Sequence, residues 1–365
     1  MDYELKKDSE LISVIVCTYN QQDTIGRTLD SILSQQCHLP IEIVIGEDGS
    51  DDDTLSVCLT YQQQHPEVIR ILANQPRKGF VRNYFDCLRA CRGKYIADCS
   101  GDDFWTDASK LEDESLILEQ NPSIGIVHTD WQRFDVKTGE MKPLSNFCPP
   151  SLTLPNCSAA NGQLPKGERT AKGFKVSPRG DLEGAILMPR ERPAIHLCTS
   201  LYRADWIRQA MERYPRFFDP EAYRCEDIQI AFFMARMGDV AYIDRPTLAY
   251  SWGGNSVSNP DSEEKQFHFW ANTTELSYEL ANTFLIKDPR LEGFFQSRLH
   301  KLLMHAFRSG KSSLRTEALR IQQVLRIKDN RQTLQSKILL LPIIWPIMRR
   351  VRNFIKEKKT TPASS

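Results

Sequence analysis

The most constraining feature of the chain is a repeated alternation of short apolar strand runs with helical stripes in its amino-terminal half. Ile12–Thr18 reads ISVIVCT, a β-branched run of the kind buried on both faces of a sheet. A helical stripe of Ile25, Leu29, Ile32 and Leu33 follows. Ile41–Ile45 is a second apolar run, succeeded by Leu55, Cys58, Leu59 and Gln62 at helical spacing behind a capping Asp53. Ile69–Ala73 is a third, before a stripe of Val81, Phe85, Leu88 and Cys91 that ends near Gly93. Tyr95–Cys99 and Ile124–Val127 complete the series, with a helix around Lys110–Glu119 between them. This rhythm predicts crossovers over a mainly parallel sheet flanked by helices, an α/β fold.

From about Val136 to Pro193 the periodicity disappears into a stretch rich in Pro, Gly, Asn and Lys. Loops of that length are usually functional lids or disordered. Order resumes at Ile195–Tyr202, then in helices at Ala204–Arg213 and Ile228–Met237, with short strands at Tyr242–Ile243 and Thr247–Tyr250. After Pro260 only helices are expected: Glu263–Leu285, Leu291–Arg308 and Leu314–Ile327. The expected divisions are 1–135, 136–260 with its loop at 136–194, a helical extension at 261–335 and a tail at 336–365.

Charge and cysteine usage exclude several classes. Lys+Arg 47 balance Asp+Glu 47, so no global basic field for nucleic acid exists. A hydrophobic content of 41% excludes a wholly disordered chain. The 10 cysteines include no C-x-x-C pair. Cys17, Cys58, Cys99 and Cys198 lie in apolar runs, as reduced buried thiols do, and Cys87 and Cys91 read as packing. The start, MDYELKKDSE, is not a secretory signal, which predicts a cytoplasmic protein. No apolar run approaches the ~20 residues of a spanning helix.

Three acidic pairs fall where strands end or helices begin: Glu47-Asp48 in GEDGSDD, Asp102-Asp103 in CSGDDFW and Glu226-Asp227 in RCEDIQI. Each alone reads equally as a turn or helix cap. Together, carboxylates delivered by separate strands to the carboxyl edge of a parallel sheet converge where ligands bind. A hard divalent cation relieves their repulsion and suits a diphosphate.

The series ISVIVCTYNQ, SILSQ, EIVIGEDGSDDDT and RKGFVRNYFDCLRACRGKYIADCSGDDFW resembles the family 2 glycosyltransferases over about Leu11–Asp135, and more loosely over Ile195–Ser258. The resemblance implies the GT-A fold, Rossmann-like, here with a C-terminal helical extension. It implies that Cys17, Thr18 and Tyr19 cradle the nucleotide base and that Asp48 hydrogen-bonds it, often as uracil. Arg82 lies near the nucleotide, Asp102 and Asp103 hold the ribose and a Mn2+ or Mg2+ ion, and Asp227 is the general base of an inverting transfer. Two departures stand out: Ser100 replaces the first acid of the D-x-D-D pattern, and Tyr250-Ser251-Trp252 lacks the Arg and His that often close over the diphosphate.

Further residues carry two readings each. His196 in AIHLCTSLYR is a core histidine or lines the acceptor pocket, Trp105 packs in the core or lines the donor-sugar site, and Glu226 is a cap or the alternative base. Ile338–Met348 (ILLLPIIWPIM) followed by Arg349, Arg350, Arg352, Lys356, Lys358 and Lys359 predicts a segment lying on an anionic leaflet at the inner face of the cell membrane, or docked on the helical tail. The expected function is transfer from a UDP-linked sugar to a glycan or lipid-linked glycan, as in bacterial surface polysaccharide synthesis. The alternatives are a non-catalytic nucleotide-sugar-binding protein and a metal-dependent nucleotidyltransferase, although TYNQQDT is not the glycine-rich phosphate loop the latter needs.

Overall fold

The structure, a computed structural model, describes residues 9–142, 158–159, 173–189, 193–253, 262–328 and 330–360. Most of the aperiodic segment after Lys142, and the end of the looser resemblance at Ser258, lie outside them. The chain forms two compact units, Met1–Gly254 and Asn255–Ser365.

In the first unit β1 (Ser9–Thr18), α1 (Ile25–Leu33), β2 (Ile41–Glu47), α2 (Thr54–Gln64), β3 (Ile69–Ala73), α3 (Phe80–Ala90) and β4 (Gly93–Asp98) follow the expected alternation closely. Next come β5 (Phe104–Trp105), α4 (Lys110–Gln120), β6 (Ile124–Asp135), β7 (Met141–Lys142), β8 (Ser158–Ala159), β9 (Lys175–Ser177) and α5 (Glu183–Ile186). β10 (Ser200–Arg203), α6 (Ala204–Arg213), α7 (Asp227–Met237) and β11 (Asp239–Trp252) complete the unit. The sheet order is β3-β2-β1-β4-β10-β6-β11-β9-β8, with β5 on β11 and β7 on β6. β1 to β4 are mutually parallel, with Ile12 opposite both Ile41 and Tyr95, so their carboxyl ends share one edge. β10 runs antiparallel between β4 and β6, and β6 and β11 are parallel.

One face of β1 and β2 buries Ile12, Val14, Val16, Ile43 and Ile45 against Ile25, Leu29 and Ile32 of α1. A fully buried side chain of this kind contributes about 1.5–3 kcal/mol. The two short strands expected around Tyr242 and Thr247 are one strand, β11, whose register shifts between Tyr242 and Pro246 and again before Leu248. Asp244-Arg245-Pro246 reads as a break in sequence because proline donates no ladder hydrogen bond, yet a proline at a bulge leaves the strand continuous.

The second unit contains α8 (Glu263–Thr283), α9 (Arg290–Ser309), α10 (Ser312–Val324), α11 (Arg331–Leu339) and α12 (Ile344–Thr360). Phe267, Leu299, Leu302, Leu303, Ile321 and Leu340 form its core. Trp345 packs edge-on to Phe307 at 5.6 Å, and Met348 joins the same cluster. Part of the apolar tail therefore docks on its own helices. Its other face is open: Leu341, Ile343 and Ile347 are 49%, 78% and 57% exposed. Arg349 and Arg352 donate to the carbonyls of Gly310 and Arg308, at the end of α9. Lys356, Lys358 and Lys359 have side chains outside the described residues. No described helix is long and apolar enough to cross a membrane.

Candidate active site

Parallel β1, β2 and β4 deliver their following loops to one edge. Cys17 and Thr18 end β1 and are buried. Tyr19 follows them, its ring covered by the Arg77 guanidinium at 3.5 Å and its hydroxyl 3.3 Å from Asp51. Asp48, 2% exposed, accepts from the backbone N–H groups of Lys78 and Gly79 at 2.8 and 3.0 Å, and from Arg77 Nε at 3.3 Å. Asn74 adds a weaker bond at 3.4 Å. A carboxylate has about four lone-pair sites. Asp48 thus pins the loop that brings Arg77 over Tyr19, a role that its position after β2 alone does not reveal.

After β4 the chain turns through Gly101, where a β-carbon would lie 2.9 Å from the Thr18 side chain; glycine permits the close approach of the two loops. Asp102 is half-buried and Asp103 is 1% exposed. Asp103 Oδ1 accepts from Ser251 N at 2.8 Å, and the Ser251 hydroxyl donates to the Asp102 carbonyl. Asp103 Oδ2 is buried with no hydrogen-bond partner among the described residues. Arg27, seated over Phe104 and Phe134 at 4.3 and 4.6 Å, donates to the Asp102 carbonyl at 3.3 Å. Burial raises the pKa of both carboxyls, and Asp102 raises that of Asp103 further. Arg27 opposes that rise at both carboxyls without reaching either carboxylate by a hydrogen bond, and a divalent cation would relieve the remaining repulsion between them. Ser251, at a position marked in the sequence only by missing residues, orients the pair. Ser100 Oγ lies 3.6 Å from Cys198 Sγ.

Glu226 occupies the N-cap position of α7, without a side-chain capping bond, and Asp227 opens the helix. Asp227 Oδ1 accepts from Ile228 N and from the Cys225 thiol, both at 2.8 Å, and Oδ2 makes no hydrogen bond among the described residues. Burial raises the pKa of Glu226, and Asp227 and then Asp98 add to it. No direct bond joins this pair to Asp102-Asp103 among the described residues.

Asp98 is the residue that pattern reading missed. It ends β4 on the face opposite Ala97, is 4% exposed and accepts from Tyr84 Oη at 2.7 Å, with Tyr202 Oη 3.0 Å from Tyr84 Oη. Burial pushes its pKa up to about 7. An acidic residue interrupting the apolar run YIADC was the available signal.

Trp105 is buried, its indole donating to the Cys198 carbonyl at 3.0 Å beneath the Asp102-Asp103 turn. His196 is half-buried between the rings of Trp131 and Tyr250, at 5.5 and 5.4 Å. Arg82 is exposed and pairs with Glu221, on the segment leading into α7.

These strand-end carboxylates sit in a chain that matches the family described as "Glycosyl transferase family 2" over residues 13–208, more than half its length. The chain belongs to glycosyl transferase family 2. An uncharacterized protein of Mycobacterium tuberculosis is 32% identical over 141 residues, 37% of this chain and 40% of its own length. The Escherichia coli protein WfaP, named a UDP-Glc:alpha-D-GlcNAc-diphosphoundecaprenol beta-1,3-glucosyltransferase, is 34% identical over 110 residues, 30% of this chain and 42% of its own. The matched stretches thus span less than half of these relatives. The structure of the mannosyltransferase PcManGT from Pyrobaculum calidifontis, in complex with GDP-Man and Mn2+, has a TM-score of 0.49 and 17% identity over 93% of this chain and 91% of that one.

Proposed function

We propose that the chain is an inverting glycosyltransferase that moves a sugar from a UDP-linked donor to a lipid-linked glycan, with Mn2+ or Mg2+ as cofactor. The observation that carries the reading is the paired Asp102-Asp103 turn with its buried, partnerless Asp103 oxygen, at the same sheet edge as Tyr19 and Asp48. The name of WfaP, matched over 110 residues, supports UDP as the nucleotide and a diphosphoundecaprenol-linked acceptor.

In this reading Tyr19 and Arg77 form the wall against which the base stacks, Cys17 and Thr18 form its floor, and Asp48 holds the loop and reaches the base by releasing Arg77 Nε, a 3.3 Å contact. Asp102 and Asp103 would hold the divalent ion, which supplies charge stabilisation to the leaving diphosphate. Ser251 keeps that pair in place from β11. Arg82 contributes positive charge near the diphosphate. Asp227 presents its unbonded Oδ2 to the acceptor hydroxyl and takes its proton as attack proceeds opposite the leaving group. Glu226, whose pKa burial raises, occupies the N-cap position beside it. His196 borders the acceptor side with Trp131 and Tyr250. Trp105 acts as a buried support rather than as a sugar platform.

The work takes place at the cytoplasmic face of a membrane, on which the exposed Leu341, Ile343 and Ile347 rest. Isothermal titration tests the donor site: UDP should bind in the presence of Mn2+ and more weakly in chelator. GDP binding in place of UDP would reassign the base pocket, and no nucleotide binding would refute the donor site.

A further inference from the structure

Away from that edge, at the start of β2, the α1–β2 loop meets α4. Gln36 N donates to the Ala108 carbonyl at 2.7 Å, Gln35 Nε2 donates to Asp107 O at 2.8 Å, and Gln35 Oε1 accepts from Leu111 N at 3.1 Å. This docking brings Cys37, His38 and Glu112 together, one ligand atom of each lying within 4.8 Å of the others. Glu112 Oε2 is 2.7 Å from His38 Nδ1 and accepts from the His38 backbone N–H at 2.8 Å. A second carboxylate, Glu119, sits 3.2 Å from the other ring nitrogen, Nε2. Ser115 Oγ lies 3.8 Å from Cys37 Sγ.

We infer that Cys37, His38 and Glu112 form a zinc site that staples the α1–β2 loop to α4. The ligand chemistry selects the metal: thiolate with imidazole and one carboxylate suits Zn2+, whereas Mg2+ and Mn2+ prefer oxygen. Three protein ligands leave a fourth, tetrahedral position to water. Glu119 supplies what an imidazole ligand usually has, a carboxylate on the ring nitrogen remote from the metal. It holds the proton on Nε2 and leaves Nδ1 free to ligate. Binding releases the Cys37 thiol proton to solvent, together with any proton shared by His38 and Glu112. The metal only bridges α1–β2 to the helix that follows the Asp102-Asp103 turn. The site shares no ligand with the Asp102-Asp103 pair, and it lies at the start of β2, roughly 20 Å at ~3.3 Å per residue from the Asp48 end of that strand.

The test uses the full chain, stripped with chelator and kept reduced, with Co2+ as the spectroscopic stand-in for Zn2+. A thiolate-to-cobalt charge-transfer band should grow to one equivalent. Cys37→Ser should abolish it, Glu119→Gln should weaken affinity about 10–100-fold, and Asp103→Asn should leave it intact. Zn2+ should also slow alkylation of Cys37, followed by mass spectrometry on the unmodified sequence, which needs no variant to fold. Absence of the band, its survival in Cys37→Ser, or alkylation of Cys37 unaffected by Zn2+ would overturn the assignment and leave His38 as an imidazolium clamped between two glutamates.

Discussion

Asp103→Asn separates metal binding from folding more cleanly than any other substitution in the site. Asparagine keeps the oxygen that accepts from Ser251 N at 2.8 Å, so the turn retains its anchor. What it removes is a carboxylate that is 1% exposed, has one oxygen without a partner and lies beside Asp102. Without ligand, the variant should be at least as stable as the native chain, because a buried like-charge pair has been relieved. With ligand the order reverses. A cation–UDP complex at a hundred times its Kd stabilises by about 2.7 kcal/mol. At ~2–4 °C per kcal/mol for a unit of this size, the native protein should gain about 5–10 °C in Tm. UDP alone should shift both proteins alike. Differential scanning fluorimetry with Mn2+, UDP and both together reads all arms. A variant that keeps the manganese-dependent shift would refute the metal assignment. One that melts well below the native protein without ligand would refute the claim that Asp103 is an electrostatic liability in the empty site.

Four other outcomes follow. Asp227→Asn should lower kcat roughly 10²–10⁴-fold with UDP affinity unchanged by titration; near-native turnover would move the base to another group. Lys110 and Glu114 form a fully buried ion pair at 2.7 Å, so Lys110→Met should cost about 3–5 kcal/mol in urea unfolding, and adding Glu114→Leu should recover much of it. Asp98, held near 7 instead of its ordinary 3.8, favours the folded state as an acid: its contribution is full below pH ~4 and lost as pH rises through ~7, so Asp98→Asn should flatten stability over that range and gain up to roughly 4 kcal/mol at pH 8. Ile343→Asp with Ile347→Asp should reduce sedimentation with anionic liposomes without lowering Tm, since both side chains are exposed, whereas Trp345→Ala should lower Tm by loosening the Phe307 contact.

The amino-terminal half was legible because β1, β2 and β4 are buried on both faces and α1 and α3 each carry one apolar stripe, while β3 is a part-buried edge strand. The runs at Ile12, Ile41 and Ile69 have no competing assignment, and the observed strands agree with them within a few residues. The acidic pairs were legible as residue types at strand ends. Their partners were not, because those partners are backbone groups and distant side chains. Nothing local links Asp48 to the N–H groups of Lys78 and Gly79, or Asp103 to Ser251, 148 residues away. Asp98 hid inside an apolar run because a buried acid bonded by a tyrosine looks like a sequence accident. The tail was half legible: amphipathic apolar segments show that one face is buried, but which face meets Phe307 is set by tertiary packing.

Glycosyl transfer itself can be read by product analysis with a panel of UDP-, GDP- and dTDP-sugars, Mn2+ and a diphosphoundecaprenol-linked N-acetylglucosamine acceptor. UDP release should depend on acceptor and metal, without pyrophosphate, and the anomeric proton coupling should show a glycosidic bond inverted relative to the donor. Release of pyrophosphate, retention of the anomeric configuration, or donor binding without any release under these conditions would contradict inverting transfer.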